Sequence, residues 1–395
     1  MEVFAADPYI LYDKNSGYYY CYATSDLNNN HFSIHRSKNL KDWEFIDYAL
    51  KINSNHWGKD WYWAPEVYFN KNNNKYYMFY SAKVNDKLVK QYFDTNDYEE
   101  CCKIGVATSD SPCGPFIDIE NRPIDYFPYD SDKIDINLIS NNKNDGNVSL
   151  NDIKKAKKGY YLSLIDANLF FDDDGKIYLY YSRCCYRNWV YDDSLKKFIE
   201  ESNILCVELD NKWWFDKEGK MMPTISSKYI GYDEENHKRK DKFVEIISYH
   251  KDPQNWENGH VNDYKLYNGT KKDRRWSEGS TLFYRYINDK KIYFITYSCN
   301  NYENEYYGVG IATSTSPLGP FKKQEDNPII HEIPNCNLYS TGHGSWFKYN
   351  GEDYYSFHGR DSLHANRALY IGKMHFDNTK CELINFYRAN LIRNK

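Results

Sequence analysis

Short runs of aromatic and β-branched residues alternate with clusters of Asn, Asp, Gly and Lys along the whole chain. That pattern predicts strands joined as hairpins. Near the start, "ADPYILYDKNSGYYYCYATSD" reads as strand, polar turn, strand. The outline returns in "WAPEVYFNKNNNKYYMFYSA", "IDANLFFDDDGKIYLYYS", "WSEGSTLFYRYINDKKIYFITYS" and "GHGSWFKYNGEDYYSFHGR". The first two modules continue outward, into "FSIHRSKNLKDWEFI" and "KIGVATSDSPCGPFIDI". One phrase is written twice: "GVATSDSPCGPF" at Gly105–Phe116 and "GIATSTSPLGPF" at Gly310–Phe321, with nine of twelve positions identical. It mixes strand formers with turn formers, which marks a duplicated structural unit rather than a convergent loop. The phrase is predicted to be the third strand of a four-stranded unit and the Ser-Pro, Gly-Pro turn into the fourth.

Five such units without helical periodicity between them predict an all-β fold, a five-bladed β-propeller. A β-sandwich is the rival, but sandwich strands do not recur as a four-strand phrase. The expected organisation is a single propeller over residues 1–395, with long polar inserts near 120–159 and 183–275 in loops at its faces. The tail from Asp377 onward is too short for a second domain and is expected to complete a blade and close the ring.

Composition adds little to the fold and more to the function. There are 41 Tyr, 20 Phe and 10 Trp among 395 residues, which favours strands and half-wet aromatic surfaces. A net charge of −5 and a pI near 6.1, with no basic stripe, argue against a nucleic-acid partner. The basic run "HKRKDK" at 237–242 reads as a solvated loop. No apolar stretch approaches the ~20 residues of a membrane span, so no membrane partner is expected. The start "MEVFAADPYI" lacks a basic, then apolar leader. The ten Cys form no CxxC pair, and several sit in strand-like runs as small buried hydrophobes. The expected compartment is the cytoplasm, or the exterior if a leader has been removed. Sequons at Asn147 and Asn268 are short enough to be chance.

The first residues of the five modules carry Asp7, Glu66, Asp166, Glu278 and His343. The first strand of a propeller blade is innermost, so these five are expected around the axis at similar depth. Axial polar residues can serve only to hold water. Clustered carboxylates, however, raise one another's pKa, and such clusters persist for metal binding or acid–base work.

"ADP", "WAPEV", "IDAN", "SEGS" and "GHGS", in this order, resemble the blade-initial motifs of glycoside hydrolase family 43, and the resemblance runs from Asp7 to about Asp377. It implies a five-bladed propeller that hydrolyses arabinofuranosyl or xylosyl linkages of plant cell-wall polysaccharides or their oligosaccharides with inversion. It further implies Asp7 as general base, Glu278 as general acid and Asp166 as the carboxylate that tunes and orients the acid. His343 matches an axial histidine near a channel cation, often calcium, in a number of members; the chemistry itself requires no cofactor. The family also supplies an arginine to the −1 sugar, and Arg367 in "ANRALYIG" is its match, with Arg360 in competition. Inverting hydrolysis needs two carboxyls roughly 6.5–9.5 Å apart, a gap that acids on different blades can provide. Among Trp57, Trp61 and Trp63, the last is favoured as a sugar platform because it adjoins Glu66. Glu66 reads either as a substrate contact or as a structural link. "EGS" departs from the family's usual Glu-Gly-Pro, and the two inserts put the substrate in doubt rather than the chemistry. The alternatives are a related propeller hydrolase such as a galactofuranosidase, or a non-catalytic carbohydrate-binding propeller. The choice of sugar, exo or endo attack and the oligomeric state are not written in these motifs.

Overall fold

In the computed structural model the strand runs become five antiparallel sheets set around one axis. The structure describes residues 1–27, 30–93, 96, 98–124, 138–139, 163–186, 188–224, 232–233, 238–239, 244–258 and 274–392. The innermost strands of blades 1 to 5 are Ala6–Asp13, Gly58–Asn70, Leu164–Phe171, Ser277–Ile287 and Tyr339–Tyr349. Each pairs with the next strand in sequence, and each blade then builds outward in chain order. The expected propeller is therefore the observed fold.

The duplicated phrase falls where its pattern placed it. Cys102–Ser109 is the third strand of blade 2 and Gly308–Ser314 the third of blade 4, each followed by a two-residue fourth strand. The leading glycine has a packing reason. A Cβ at Gly105 would lie 2.5 Å from the Tyr80 ring and 2.6 Å from Trp57. At Gly310 it would lie 2.6 Å from Tyr297 and 2.7 Å from Trp256. Each glycine thus seats a Tyr against a Trp, and a side chain there would evict one of them. The Ser-Pro turn is a socket for the preceding blade. Tyr22 of blade 1 donates to the Pro112 carbonyl (2.6 Å), and Tyr180 of blade 3 donates to that of Pro317.

The core is distributed between blades rather than gathered at one centre. Separate apolar clusters lie at the junctions, such as Phe170, Tyr180, Ile204, Leu282 and Ile295 between blades 3 and 4. Of the tail, Lys380–Arg388 completes blade 5, and Asn390–Ile392 adds in parallel to the outer edge of blade 1. It therefore does both things expected of it, and pairing the chain's end with its start closes the ring.

The inserts are not all loop. Inside 183–275, Asn203–Leu209 and Val244–Ile247 are the third and fourth strands of blade 3 itself. A hairpin of Asn188–Asp192 and Lys197–Glu201 forms a side sheet with Leu138–Ile139 and Arg274–Arg275. Blade 2 also carries a short helix, Asp86–Phe93, which buries Val89, Tyr92 and Phe93. A helix this short is too brief to impose a periodic pattern, which is why the sequence did not announce it. The sequons and most of the basic run lie outside the described residues. Among the described residues no helix is long and apolar enough to cross a membrane. The cysteines are free, and all but Cys113 and Cys336 are buried.

Candidate active site

Every innermost strand carries a β-bulge near its start. Trp61 and Ser340 add a left-handed residue in blades 2 and 5. In each of the five strands one left-handed residue has its N–H bound by the preceding blade. These residues are Asp7, Ala64, Asp166, Gly279 and His343, with φ of 51°, 47°, 57°, 58° and 39°. Only one of the five is glycine, so the conformation is imposed by tertiary contacts. Those contacts form a ring. The N–H of Ala64 donates to Thr24 Oγ1 (2.9 Å), that of Asp166 to Ser81 (2.9 Å), that of Gly279 to Ser182 (3.1 Å) and that of His343 to Ser298 (2.8 Å). Each acceptor sits on the second strand of the preceding blade. The ring closes where the Asp7 N–H donates to Nδ1 of His358 in blade 5 (3.2 Å).

The ring corrects the expectation of five ionisable residues at one depth. Asp7, Asp166 and His343 occupy the left-handed position itself. Glu278 stands one residue before it, paired with Ser298 as Ala6 is with Thr24. Glu66 stands two residues after it, on the deeper side. There it accepts from the Tyr68 hydroxyl and from Asn168 Nδ2 (2.9 Å), and it does not line the main cleft. A bulge sets two residues opposite one and re-aims side chains, so strict alternation cannot be read through it. Glu66 is therefore a link between blades 2 and 3, the structural half of its two readings.

The cleft itself has a volume of about 370 Å³ and is lined by Asp7, Asp166, Glu278, His343, Trp61, Trp63 and Arg367, among others. Trp63 lies in it as expected. Its stacked neighbour Trp61 (5.3 Å between centroids, 8° between planes) lies there too. Trp57 is buried against Tyr80 and donates to Asp118 (3.1 Å), a packing role. Arg367 also lines the cleft, where its guanidinium binds Asp7 Oδ1 at 2.9 Å and covers the Tyr302 ring at 4.6 Å. Arg360 donates instead to the Leu363 carbonyl (2.7 Å) and stays out of the cleft.

The carboxyls have different surroundings. Burial would raise Asp7, but Arg367 (2.9 Å), His343 (3.4 Å) and the Thr24 hydroxyl (2.7 Å) together hold it well below the usual carboxylate range. Burial and the neighbouring Asp166 push Glu278 up to about 8, against the pull of His343 and a hydrogen bond from Tyr307 (2.8 Å). Asp166 is raised by burial as well. It nevertheless accepts from Ser182 (2.9 Å) and from the Gly279 N–H (3.2 Å), so it is the better placed of the pair to keep the charge. Burial lowers His343, but the three carboxyls around it raise it further than burial lowers it. His358 is fully buried and is driven well below the imidazole range by burial and Arg367; it is neutral, with Nδ1 as acceptor.

Sequence reading missed Thr24, Ser182, Tyr307 and His358. Three of them had a signal: Thr24, Ser81, Ser182, Ser298 and His358 end the aromatic second-strand runs "YYYCYAT", "YYMFYS", "YLYYS", "YFITYS" and "YYSFH" at one repeating position. Tyr307 had none. It comes from the loop before the third strand of blade 4, where no pattern distinguishes it from the chain's other tyrosines.

The family model "Glycosyl hydrolases family 43" matches residues 1–159 and 224–380. A curated relative, the probable arabinan endo-1,5-alpha-L-arabinosidase C of Aspergillus terreus, is 31% identical over 134 residues, covering 31% of this chain and 40% of the relative. The beta-D-galactofuranosidase xynD of Aspergillus niger is 32% identical over 90 residues, 22% of this chain and 26% of its own length. This chain thus aligns with less than half of each relative. Among solved structures, a thermostable family-43 glycoside hydrolase superposes with a TM-score of 0.64 at 25% identity, over 98% of this chain and 94% of its own.

Proposed function

The chain belongs to glycosyl hydrolases family 43, and from that premise we propose that it is a glycosidase that cleaves α-L-arabinofuranosyl or β-D-xylosyl linkages with inversion at the anomeric carbon. One observation carries the reading. Asp7 and Glu278 line one cleft, and their surroundings drive their pKa values in opposite directions. That is the division an acid–base pair requires.

In this mechanism Asp7, ionised and held by Arg367 and Thr24, takes a proton from the attacking water. Glu278, protonated at neutral pH, gives its proton to the departing glycosidic oxygen. Asp166 keeps Glu278 protonated through its charge, and Tyr307 fixes the orientation of the Glu278 carboxyl. His343 adds positive charge among the three carboxyls. Arg367 steers Asp7 and borders the sugar bound next to it, and Trp61 and Trp63 supply a flat apolar wall for a sugar face.

Arabinan or arabino-oligosaccharide is the first substrate class to try, in keeping with the name of the arabinosidase relative. A galactofuranoside is the second, in keeping with the xynD relative. A panel of chromogenic arabinofuranosides, xylosides and galactofuranosides, with debranched arabinan and xylo-oligosaccharides, decides among them. Proton NMR immediately after hydrolysis should show the inverted anomer. Retention would make one carboxylate a nucleophile and sink the role assigned to Asp7.

A channel calcium near His343, which the resemblance implies, also stands as a proposal. Among the described residues no group of three or more His, Cys, Asp or Glu is arranged to hold a metal ion, and His343 Nδ1 faces Asp7. Such an ion would rest largely on water, and no step above passes through it. Exhaustive chelation with EDTA should lower the melting temperature if the ion is bound; an unchanged melt and rate would remove it.

A further inference from the structure

We propose that Glu100 is the specificity-determining residue of a second sugar subsite, on the blade 2 and blade 3 side of the cleft, and that it binds hydroxyls of a neighbouring sugar unit in an oligosaccharide. The inference rests on reading the cleft as a glycosidase site. Glu100 stands just before the third strand of blade 2. Its backbone is pinned there: its carbonyl accepts the Cys102 N–H (2.8 Å) and the Ser163 hydroxyl. The side chain lines the cleft, yet the residue is only 7% exposed, and its Oε2 is buried without a hydrogen-bond partner.

The groups around it do not supply that partner. The Arg274 guanidinium is drawn to Glu200 (2.8 Å) and lies over the Tyr186 ring at 4.5 Å. Cys184 contributes a thiol hydrogen bond, which is weak. A buried carboxyl oxygen is rarely left unmatched unless something else binds there. The walls beside it are aromatic: the stacked Trp61 and Trp63, and Trp276 with Tyr186 edge-on at 6.2 Å. Aromatic faces take the C–H face of a sugar ring, and a carboxyl takes its hydroxyls. Burial also pushes Glu100 up to about 7, so near neutrality it can donate as well as accept. The charge of Asp166 reaches Glu100, but among the described residues Arg367, Thr24 and Tyr307 spend their hydrogen bonds on Asp7 and Glu278, which leaves Glu100 to a sugar other than the one being protonated.

The test compares wild type, Glu100→Gln and Glu100→Ala on two kinds of probe. 4-Nitrophenyl α-L-arabinofuranoside and β-D-xylopyranoside present one sugar; 1,5-α-arabinotriose and xylotriose present three. The ratio of kcat/KM for the trisaccharide to that for the aryl glycoside should fall about tenfold or more in Glu100→Ala, mainly through KM, and less in Glu100→Gln. An unchanged ratio, with equal losses on both probes or none, overturns the subsite. Calorimetric titration of arabinotriose and xylotriose into Glu278→Gln, with and without Glu100→Ala, reads binding apart from turnover. Weaker trisaccharide binding supports the subsite even if wild type cleaves neither probe, in which case the glycosidase reading alone fails. Undiminished binding overturns it.

Discussion

The two sides of the cleft, Asp7 with its neighbours and Glu278 with its own, start from the same chemistry and end far apart. Both groups are carboxyls that burial pushes upward. Around Asp7 the fold brings a guanidinium, the His343 imidazole and a hydroxyl from blades 5 and 1. Around Glu278 it brings one phenol and the same His343 but, among the described residues, no guanidinium, and another carboxyl whose charge opposes ionisation. Burial alone would make both into acids. The difference lies in which blade's donors each one meets, so an Asp and a Glu with the same carboxyl chemistry are driven in opposite directions by position in the ring.

The largest effect should come from erasing the Asp7 side. Asp7→Asn should cut turnover of aryl glycosides and oligosaccharides alike by about 10²–10⁴-fold, while calorimetry still detects sugar binding. Full activity in that variant would end its assignment as base.

Erasing the other side should cost as much only on demanding substrates. Glu278→Ala should lose about 10²–10⁴-fold on unactivated oligosaccharides, and far less on 2,4-dinitrophenyl glycosides, which depart without a proton. Equal losses on both would mean that Glu278 does more than donate a proton.

The pH–rate profile sharpens the comparison. Asp7 must be ionised, and its depressed pKa keeps it so into acid solution. Glu278 must be protonated, and at about 8 it stays so until that pH, so the rate should fall as pH rises through about 8. Arg367→Met removes the main group that depresses Asp7, so the acid limb should move up by about 1–3 units. Asp166→Asn removes a charge that raises Glu278, so the basic limb should move down by about one unit or more. Movement of either limb in the opposite direction would contradict this pairing of charges.

The smallest effect tests Tyr307. Its hydrogen bond stabilises the ionised form of Glu278 by about 1 kcal/mol. Tyr307→Phe should therefore move the basic limb upward by roughly 0.7 unit, opposite in sign to Asp166→Asn. A downward shift would mean that Tyr307 supports the protonated acid instead.

How much of this was legible in the sequence differs between frame and site. The paired phrases at Gly105 and Gly310, the five hairpin modules and the order of the motifs made the propeller readable, because strand pattern and turn chemistry are local properties. The positions of Asp7, Asp166 and Glu278 near the mouth followed from the same modules. Glu66 was put at the wrong depth, because a bulge changes which residues face the axis without changing the composition of the strand. The outer strands of blade 3 were hidden in an apparent insert, since polar stretches interrupt them.

The sequence by itself determined the blades, their order and the carboxyls that begin three of them, since each rests on residues within one strand or turn. Only the tertiary structure decided which carboxyl is depressed and which is raised. Arg367 reaches Asp7 across 360 residues of chain, and Asp166 meets Glu278 from the preceding blade. Charges so far apart in sequence act on each other only once the ring is closed, when burial has removed the water that would otherwise screen them.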